Sequence, residues 1–347
     1  MASVDVTVRG GGVFGLACAW ACARRGARVR LIEPARIGAG ASGGLVGALA
    51  PHAPEGWNPL KDYQLRALSS AEGWWAAVEA AGGVDPGYLR SGRLQPLADA
   101  AAVELAQLRA AAAQTLWQGR ADWQVVPATG AEWEPASPSG WLVRDTLTAR
   151  LSPRRAGAAL VAALRAKGAD LVIGQEAPEE GAVIHATGAA GLADLSAVFG
   201  RTLGAGVKGQ AVLLRHNAAS LPQIYAGGLH VVPHADGTVA IGSTSETTWA
   251  TEGPDAQADD LIARARALLP VLAGAEVLER WAGLRPRAKS RGPLAGAWPG
   301  RPGHFVANGG FKIGFAMAPA VAEGLADLVL DGQESLPASF SVAALLG

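Results

Sequence analysis

Near the N-terminus, Gly10-Gly11-Gly12-Val13-Phe14-Gly15 satisfies G-x-G-x-x-G, and Glu33 follows eighteen residues after Gly15. In such a turn the first glycine allows the tight bend and the second lets backbone approach a pyrophosphate. The third lets a helix pack closely on its strand. Exposed amides and the positive helix end then hold phosphates. A carboxylate at Glu33 would accept hydrogen bonds from both ribose hydroxyls and repel a 2′-phosphate. The pattern alone is weak in a chain with 46 glycines, and its alternative is a glycine-rich turn with no ligand. Two further segments bear on which dinucleotide is meant. Gly40-Ala-Ser-Gly-Gly-Leu-Val-Gly-Ala-Leu-Ala-Pro-His52 comes soon after the ribose position, and Val183-Ile-His-Ala-Thr-Gly188 ends an apolar run in small residues. An NAD site has little use for the first of these. FAD needs backbone along the rest of the dinucleotide as far as its ring, so the cofactor expected is FAD.

The elements that position these residues follow from periodicity. Val4 to Val8 and Ala27 to Glu33 read as strands flanking a helix from Val13 to Arg25, the βαβ unit of a parallel sheet. Helices are expected at Tyr63 to Ala81 (with Trp74 and Trp75 buried), Ala101 to Ala113, Pro153 to Lys167, Ala258 to Leu269 and Ala318 to Leu330. Strands are expected over Tyr88 to Pro96, Trp123 to Val126, Trp141 to Arg150, Asp170 to Ile173 and Ala182 to His185. A second series covers Val207 to Arg215, Gln223 to Tyr225, Leu229 to Val232, Thr238 to Gly242, Val277 to Gly283 and His304 to Ala307. Alternation at both ends with β-rich blocks between implies an α/β chain, α+β overall. A Rossmann-type FAD-binding domain (1–84, 147–203 and 292–347) is interwoven with a β-sheet-rich substrate domain (85–146 and 204–291).

Composition excludes several function classes. Half of the 347 residues are apolar, 17% are charged, and 30 basic residues balance 30 acidic ones. A nucleic-acid or acidic-membrane partner is not expected without a basic face. The apolar run Gly11 to Ala23 is thirteen residues, short of the roughly 20 that span a bilayer. Cys18 and Cys22 offer neither a disulfide framework nor metal-ligand spacing, so no metal and a cytoplasmic setting are expected. The eleven tryptophans read as core.

With these segments taken together, the chain resembles the D-amino-acid oxidase/glycine oxidase family of flavoproteins over nearly its whole length. Four segments carry the likeness in order. They are the glycine turn with Glu33, Ala41 to His52, Ala186-Thr-Gly188, and the C-terminal pair Trp281-Ala-Gly-Leu-Arg-Pro286 and Ala307-Asn-Gly-Gly-Phe-Lys-Ile-Gly-Phe-Ala-Met-Ala-Pro319. The nearest likeness is to the family's glycine oxidase branch of thiamine biosynthesis. The resemblance implies non-covalent FAD, since no cysteine lies near the C-terminal motif and no histidine beside Gly10 to Gly15. The cofactor contacts it implies are Gly10, Gly12, Val13, Phe14, Gly15 and Glu33, followed by Ser42, Gly43, Val46, Gly47, Ala48 and Leu49. Thr187 and Gly188 come next, then Gly309, Gly310, Phe311, Lys312, Ile313 and Gly314 near the flavin's pyrimidine edge, where a helix N-terminus stabilises negative charge.

The resemblance also implies the substrate side. Arg285 would hold the substrate carboxylate, which suits a guanidinium's two parallel donors; its alternative is a structural arginine among Arg280, Arg287, Lys289 and Arg291. Lys312 is a second cationic contact or a solvated loop lysine. His230 stands where glycine oxidases carry a substrate-contacting tyrosine. It is either a donor whose charge varies with pH or an ordinary strand residue, and Tyr225 is a candidate replacement from a neighbouring strand. His52 is expected to be structural and His185 to be core. The implied reaction oxidises a small amino acid or amine (glycine, sarcosine or a D-amino acid) to imine and oxo acid, with dioxygen as acceptor and peroxide as product. Alternatives are a secondary-amine dehydrogenase using another acceptor, a flavin-dependent tRNA-modifying enzyme, and an inert flavin-binding protein. A homo-oligomer is left open.

Overall fold

A computed structural model of the chain describes residues 4–347. It begins with β1 (Val6–Arg9), α1 (Val13–Ala23) and β2 (Val29–Glu33), the expected strand–helix–strand unit. After β3 (Ala48–Leu49) and α2 (Pro59–Gly82) come β4 (Arg93–Pro96), α3 (Ala100–Leu116), β5 (Trp123–Pro127), β6 (Trp141–Asp145) and β7 (Ala149–Arg150). The middle holds α4 (Pro153–Ala166), β8 (Asp170–Ile173), β9 (Ala182–His185) and α5 (Gly188–Val198). Next are β10 (Gly204–Arg215), β11 (Gln223–Ala226), β12 (Leu229–Pro233), β13 (Thr238–Gly242) and α6 (Ala256–Leu268). The chain closes with β14 (Glu276–Ala288), β15 (Leu294–Ala297), β16 (His304–Asn308), α7 (Gly314–Asp331) and α8 (Val342–Leu346).

Two large sheets result. One has six strands in the order β15-β16-β9-β1-β2-β8, parallel except for β15 at the edge. The other has eight, in the order β14-β10-β13-β12-β11-β4-β6-β5. Every residue of α1 is buried, because the helix is enclosed by its sheet, α4 and α7. A helix apolar on all sides belongs in such an interior. Cys18 and Cys22 lie within it, and burial pushes the Cys22 thiol up to about 12, which leaves it unreactive. Among the described residues no helix is long and apolar enough to cross a membrane.

Several elements differ from the expectation. α5 is absent from it, because Gly188 and Gly191 weaken the helical signal there; Gly191 is needed, since a Cβ would strike the Thr187 hydroxyl. The edge strand β15, also absent, is short and contains Gly296 at φ +137°. Trp141 to Arg150 is not one strand but two, interrupted where Asp145 Oδ1 accepts the Thr148 amide at 2.8 Å. β14 continues past Gly283 to Ala288, and α7 begins at Gly314 rather than Ala318. These last two changes put Arg285 inside a strand and a helix N-terminus directly after Lys312.

Candidate active site

A cavity of about 1090 Å³ runs from the ends of β1 and β9 to one face of the eight-stranded sheet. Three helices begin on its wall. Gly12, Thr187 and Ile313, the N-caps of α1, α5 and α7, all line it, and among the described residues none of the three carries a side-chain cap. The first-turn amides and partial positive charge of such N-termini favour anionic groups, although at α1 the Val13 amide is taken by Ser42 Oγ.

Glycines set how closely the backbone segments meet. Gly10 sits at φ +107°, and a Cβ there would run into the Ala186 carbonyl oxygen. A Cβ on Gly15 would collide with the Gly10 carbonyl. Gly12 differs, because a Cβ there would meet only Ser42, with Oγ at 3.2 Å. Ser42 Oγ accepts the Val13 amide at 2.9 Å. Glu33 is buried at the wall and accepts the Gly11 amide on Oε2 (2.7 Å) and the Ala35 amide on Oε1 (2.9 Å). A carboxylate has about four acceptor positions, so capacity for two ribose hydroxyls remains. Around Gly40 and Gly188 a would-be Cβ has nothing within 4 Å, which leaves backbone open to a ligand. These features fit FAD.

The cavity also gathers Phe14, Val46, Gly47, Ala48, Gly188, Gly310, Phe311 and Gly314. Four expected contacts do not reach it. Gly15 packs behind the turn, and Leu49 is fully buried because β3 alternates Ala48 toward one side and Leu49 toward the other. Gly43 lines a separate cavity of about 220 Å³. Gly309, at φ +75°, folds against Ala288 and the Leu294 amide.

On the sheet face, Arg285 reaches across β10 at Gly209, where any Cβ would overlap its guanidinium. Its Nη1 donates to the Thr244 carbonyl at 3.1 Å. Among the described residues no carboxylate lies within ion-pair distance of it. Desolvation holds it down at about 10, opposed by the negative charge of Glu246. Lys312 lies on the wall with its side chain largely exposed. Its ammonium is depressed by desolvation and then by the Arg285 charge. The Phe311 amide donates to Pro286 O at 2.9 Å, tying the Lys312 turn to the strand of Arg285. Two neighbouring cations without an acidic partner make an anion site.

A buried network supports Arg285 from below, and sequence reasoning missed both its members and their role. Lys208 Nζ meets Asp255 Oδ2 at 2.7 Å and Glu246 Oε2 at 3.2 Å. Gln210 Nε2 donates to Asp255 Oδ1 (2.7 Å) and Glu246 Oε1 (3.0 Å), and its amide donates to Thr244 Oγ1 at 2.8 Å. Thr244 Oγ1 donates in turn to Glu246. The residue whose carbonyl holds Arg285 is thus fixed through its own hydroxyl. The readable signal is Lys208 and Gln210, two polar side chains at alternate positions of an otherwise apolar strand.

His230 and Tyr225 face each other across β11 and β12, with ring centroids 4.6 Å apart, and both line the cavity. Tyr225 therefore does reach the site from its neighbouring strand. Between the two readings of His230, burial weighs against a charge that varies near neutral pH. Desolvation, then the charges of Arg93 and Lys312, push it down to about 3, so the ring is neutral near pH 7. His52 is anchored on Gln64 Oε1, which accepts its amide at 2.9 Å and contacts Nδ1 at 2.5 Å. His185 is not core but half-buried, with Nε2 3.0 Å from His304 Nδ1. Arg93, Gln95 and Trp123 also line the cavity, and no motif points to them.

Residues 5–328 match the family model described as DAO, FAD dependent oxidoreductase. The chain belongs to that family. It is an FAD-dependent oxidoreductase. Over 144 residues it is 38% identical to glycine oxidase from Pseudomonas aeruginosa, a match covering 40% of this chain and 39% of that protein. Over 354 residues it is 27% identical to glycine oxidase from Geobacillus kaustophilus, covering 94% of this chain and 92% of that one. The crystal structure of the Geobacillus kaustophilus enzyme superposes with a TM-score of 0.83 at 26% identity, over 97% of this chain and 98% of that chain. L-proline dehydrogenase from P. horikoshii shares the fold, with a TM-score of 0.80 at 20% identity over 98% and 96% of the two chains.

Proposed function

We propose that this DAO-family chain is an oxidase that deaminates a small amino acid or amine at its CH–NH or CH–NH₂ bond. The observation that carries the reading is Arg285, a desolvated guanidinium without an acidic partner among the described residues, on the same cavity as three uncapped helix N-termini. Arg285 holds the substrate carboxylate by its fork, assisted by Lys312. The neutral His230 ring and Tyr225 bound the substrate on the adjoining strands. The Lys208–Glu246–Asp255 network fixes the Thr244 carbonyl and with it the direction of the fork. When bound, non-covalently, FAD supplies the two-electron oxidant for the Cα–N bond, with dioxygen as final acceptor and peroxide as product. The imine is hydrolysed by water to oxo acid and ammonia. This chain contributes positioning and a low-dielectric site, and no general base is required of it.

Residues 1–84, 147–203 and 292–347 form the FAD-binding domain in this reading, and 85–146 with 204–291 the substrate domain. It is supported by the six-stranded sheet drawing all its strands from the first set and the eight-stranded sheet from the second. Glycine, sarcosine and D-amino acids are the first substrates, and a glycine oxidase and a "Putative thiamine biosynthesis oxidoreductase" (Rhizobium etli) among the relatives suggest glycine oxidation for that pathway. The test is to reconstitute the protein with FAD and screen these compounds anaerobically for flavin bleaching, then aerobically for peroxide. Bleaching with peroxide is the expected result. Bleaching without peroxide identifies a dehydrogenase, and an enzyme that no amino acid or amine bleaches overturns the proposal.

A further inference from the structure

Resting on that reading, we infer that the substrate carries a second carboxylate, held by Arg93 at the opposite end of the same sheet face. Arg93 is buried, at 5% exposure, and lines the cavity. Its Nε donates to the fully buried Asp145 at 2.9 Å, and Asp145 is itself fixed by the Thr148 amide. That is its only side-chain hydrogen bond among the described residues. The two terminal nitrogens are not among the sealed, unpartnered atoms of the described residues, so they touch open space in the cavity. A guanidinium has five donors, and a buried one this sparsely partnered lacks an acceptor. The same end is polar in other ways: Gln95 Nε2 and Trp123 Nε1, on cavity-lining side chains, are buried without partners.

Placement and free donors both favour a dianionic ligand. The Arg93 guanidinium lies over Tyr225 of β11, 5.5 Å from the ring centroid. Arg285 reaches over β10 to Thr244, just beyond β13. In the order β10-β13-β12-β11 the strands under the two forks, β10 and β11, are three spacings apart, roughly 14 Å. A dicarboxylate of about glutarate length bridges that gap with one carboxylate on each fork, and His230 on β12 lies between them. With Asp145 paired to Arg93 and Glu246 acting on Arg285 at longer range, Arg285 and Arg93 keep donors free toward the cavity. Arg9 and Arg109, which also line it, are already paired with Glu176 and Glu179 and with Glu55. A monocarboxylate satisfies the free donors of one fork, whereas a dicarboxylate satisfies both.

The FAD-reconstituted enzyme is tested with D-glutamate, D-aspartate and iminodiacetate against glycine and D-alanine. The best dicarboxylic substrate should bleach the flavin with kcat/KM about 30-fold above the best monocarboxylic one. Arg93→Gln should collapse that ratio toward one. As that variant leaves Asp145 unpaired, the double variant Arg93→Gln/Asp145→Asn is measured beside it. Independently of turnover, glutarate should raise the wild-type unfolding temperature more than acetate does at equal concentration, and Arg93→Gln/Asp145→Asn should lose the difference. Monocarboxylates oxidised as well as every dicarboxylate, with no preferential stabilisation by glutarate, would overturn the second anchor while leaving amino acid oxidation intact. If nothing bleaches the flavin yet glutarate stabilises through Arg93, the dianion site stands and the oxidase reading falls.

Discussion

The two ends of the cavity are built from different materials. At the dinucleotide end the contacts are backbone: helix N-termini and glycines whose missing side chains let Gly10, Gly15 and the turn at Ala186 come together. At the sheet face they are side chains: Arg285, Lys312, Arg93, His230 and Tyr225, held by ion pairs and strand register. Backbone contacts tolerate few substitutions but need no counter-charge. Charged side chains tolerate substitution sterically but depend on partners several strands away. The first end should therefore fail all at once when altered, and the second by degrees.

The largest expected effect is at Gly15. Its Cβ would enter the Gly10 carbonyl, which is rigid backbone and cannot yield cheaply. Gly15→Ala should come out colourless and remain so after reconstitution, with flavin affinity down by at least about 100-fold. Gly12→Ala, whose Cβ meets only Ser42 at contact distance, should fold normally and lose less. Equal flavin binding by Gly15→Ala and the unaltered protein would dissolve the contrast between the two ends.

Intermediate effects belong to the sheet face. Arg285→Ala should keep its flavin and lose about 10²–10³-fold in kcat/KM, as expected for a buried charge-assisted anchor. Glu246→Gln should act in the same direction but less, about tenfold and mainly in KM, because it loosens Thr244 without removing the fork. If Glu246→Gln disturbed flavin content as much as catalysis, the network would be serving the fold rather than Arg285. Measuring flavin absorbance and steady-state kinetics on the same samples separates the two.

The amino-acid sequence makes the two ends unequally legible. The glycine turn, Glu33 and the flanking strands lie within some thirty residues, and local spacing suffices to read such a unit. Arg285 and Lys312 are visible only through resemblance, and their lack of acidic partners has no sequence signal. Arg93 and Asp145 are 52 residues apart, and Lys208 and Asp255 are 47 apart, so only the folding of the sheet brings them together. Four of the expected cofactor contacts do not line the cavity, each for a local reason. Gly44 to Ala48 line the cavity while Gly43 and Leu49, at the two ends of the run, turn away from it, and a motif names every residue in the run alike.

The smallest expected effect on turnover near neutral pH is at His230, whose readout is stability against pH. The folded ring titrates near 3, below the usual 6.5, chiefly through desolvation. Between those values the unfolded chain binds a proton that the native state does not. Stability must then fall as pH drops from 6.5 toward 3, and flatten below that for this group. One such site contributes a slope of at most about 1.4 kcal/mol per pH unit. His185, near 4 for the same reason, adds to it. Urea unfolding of the wild type from pH 7 to 4 should show the decline, and His230→Gln should reduce its slope by about one proton. Above pH 6.5 the ring is neutral in both states, so kcat/KM should show no histidine inflection there. An inflection between pH 6 and 7 that His230→Gln removes would mean the ring is solvated in the working enzyme, and that the sheet face is wetter than its burial implies.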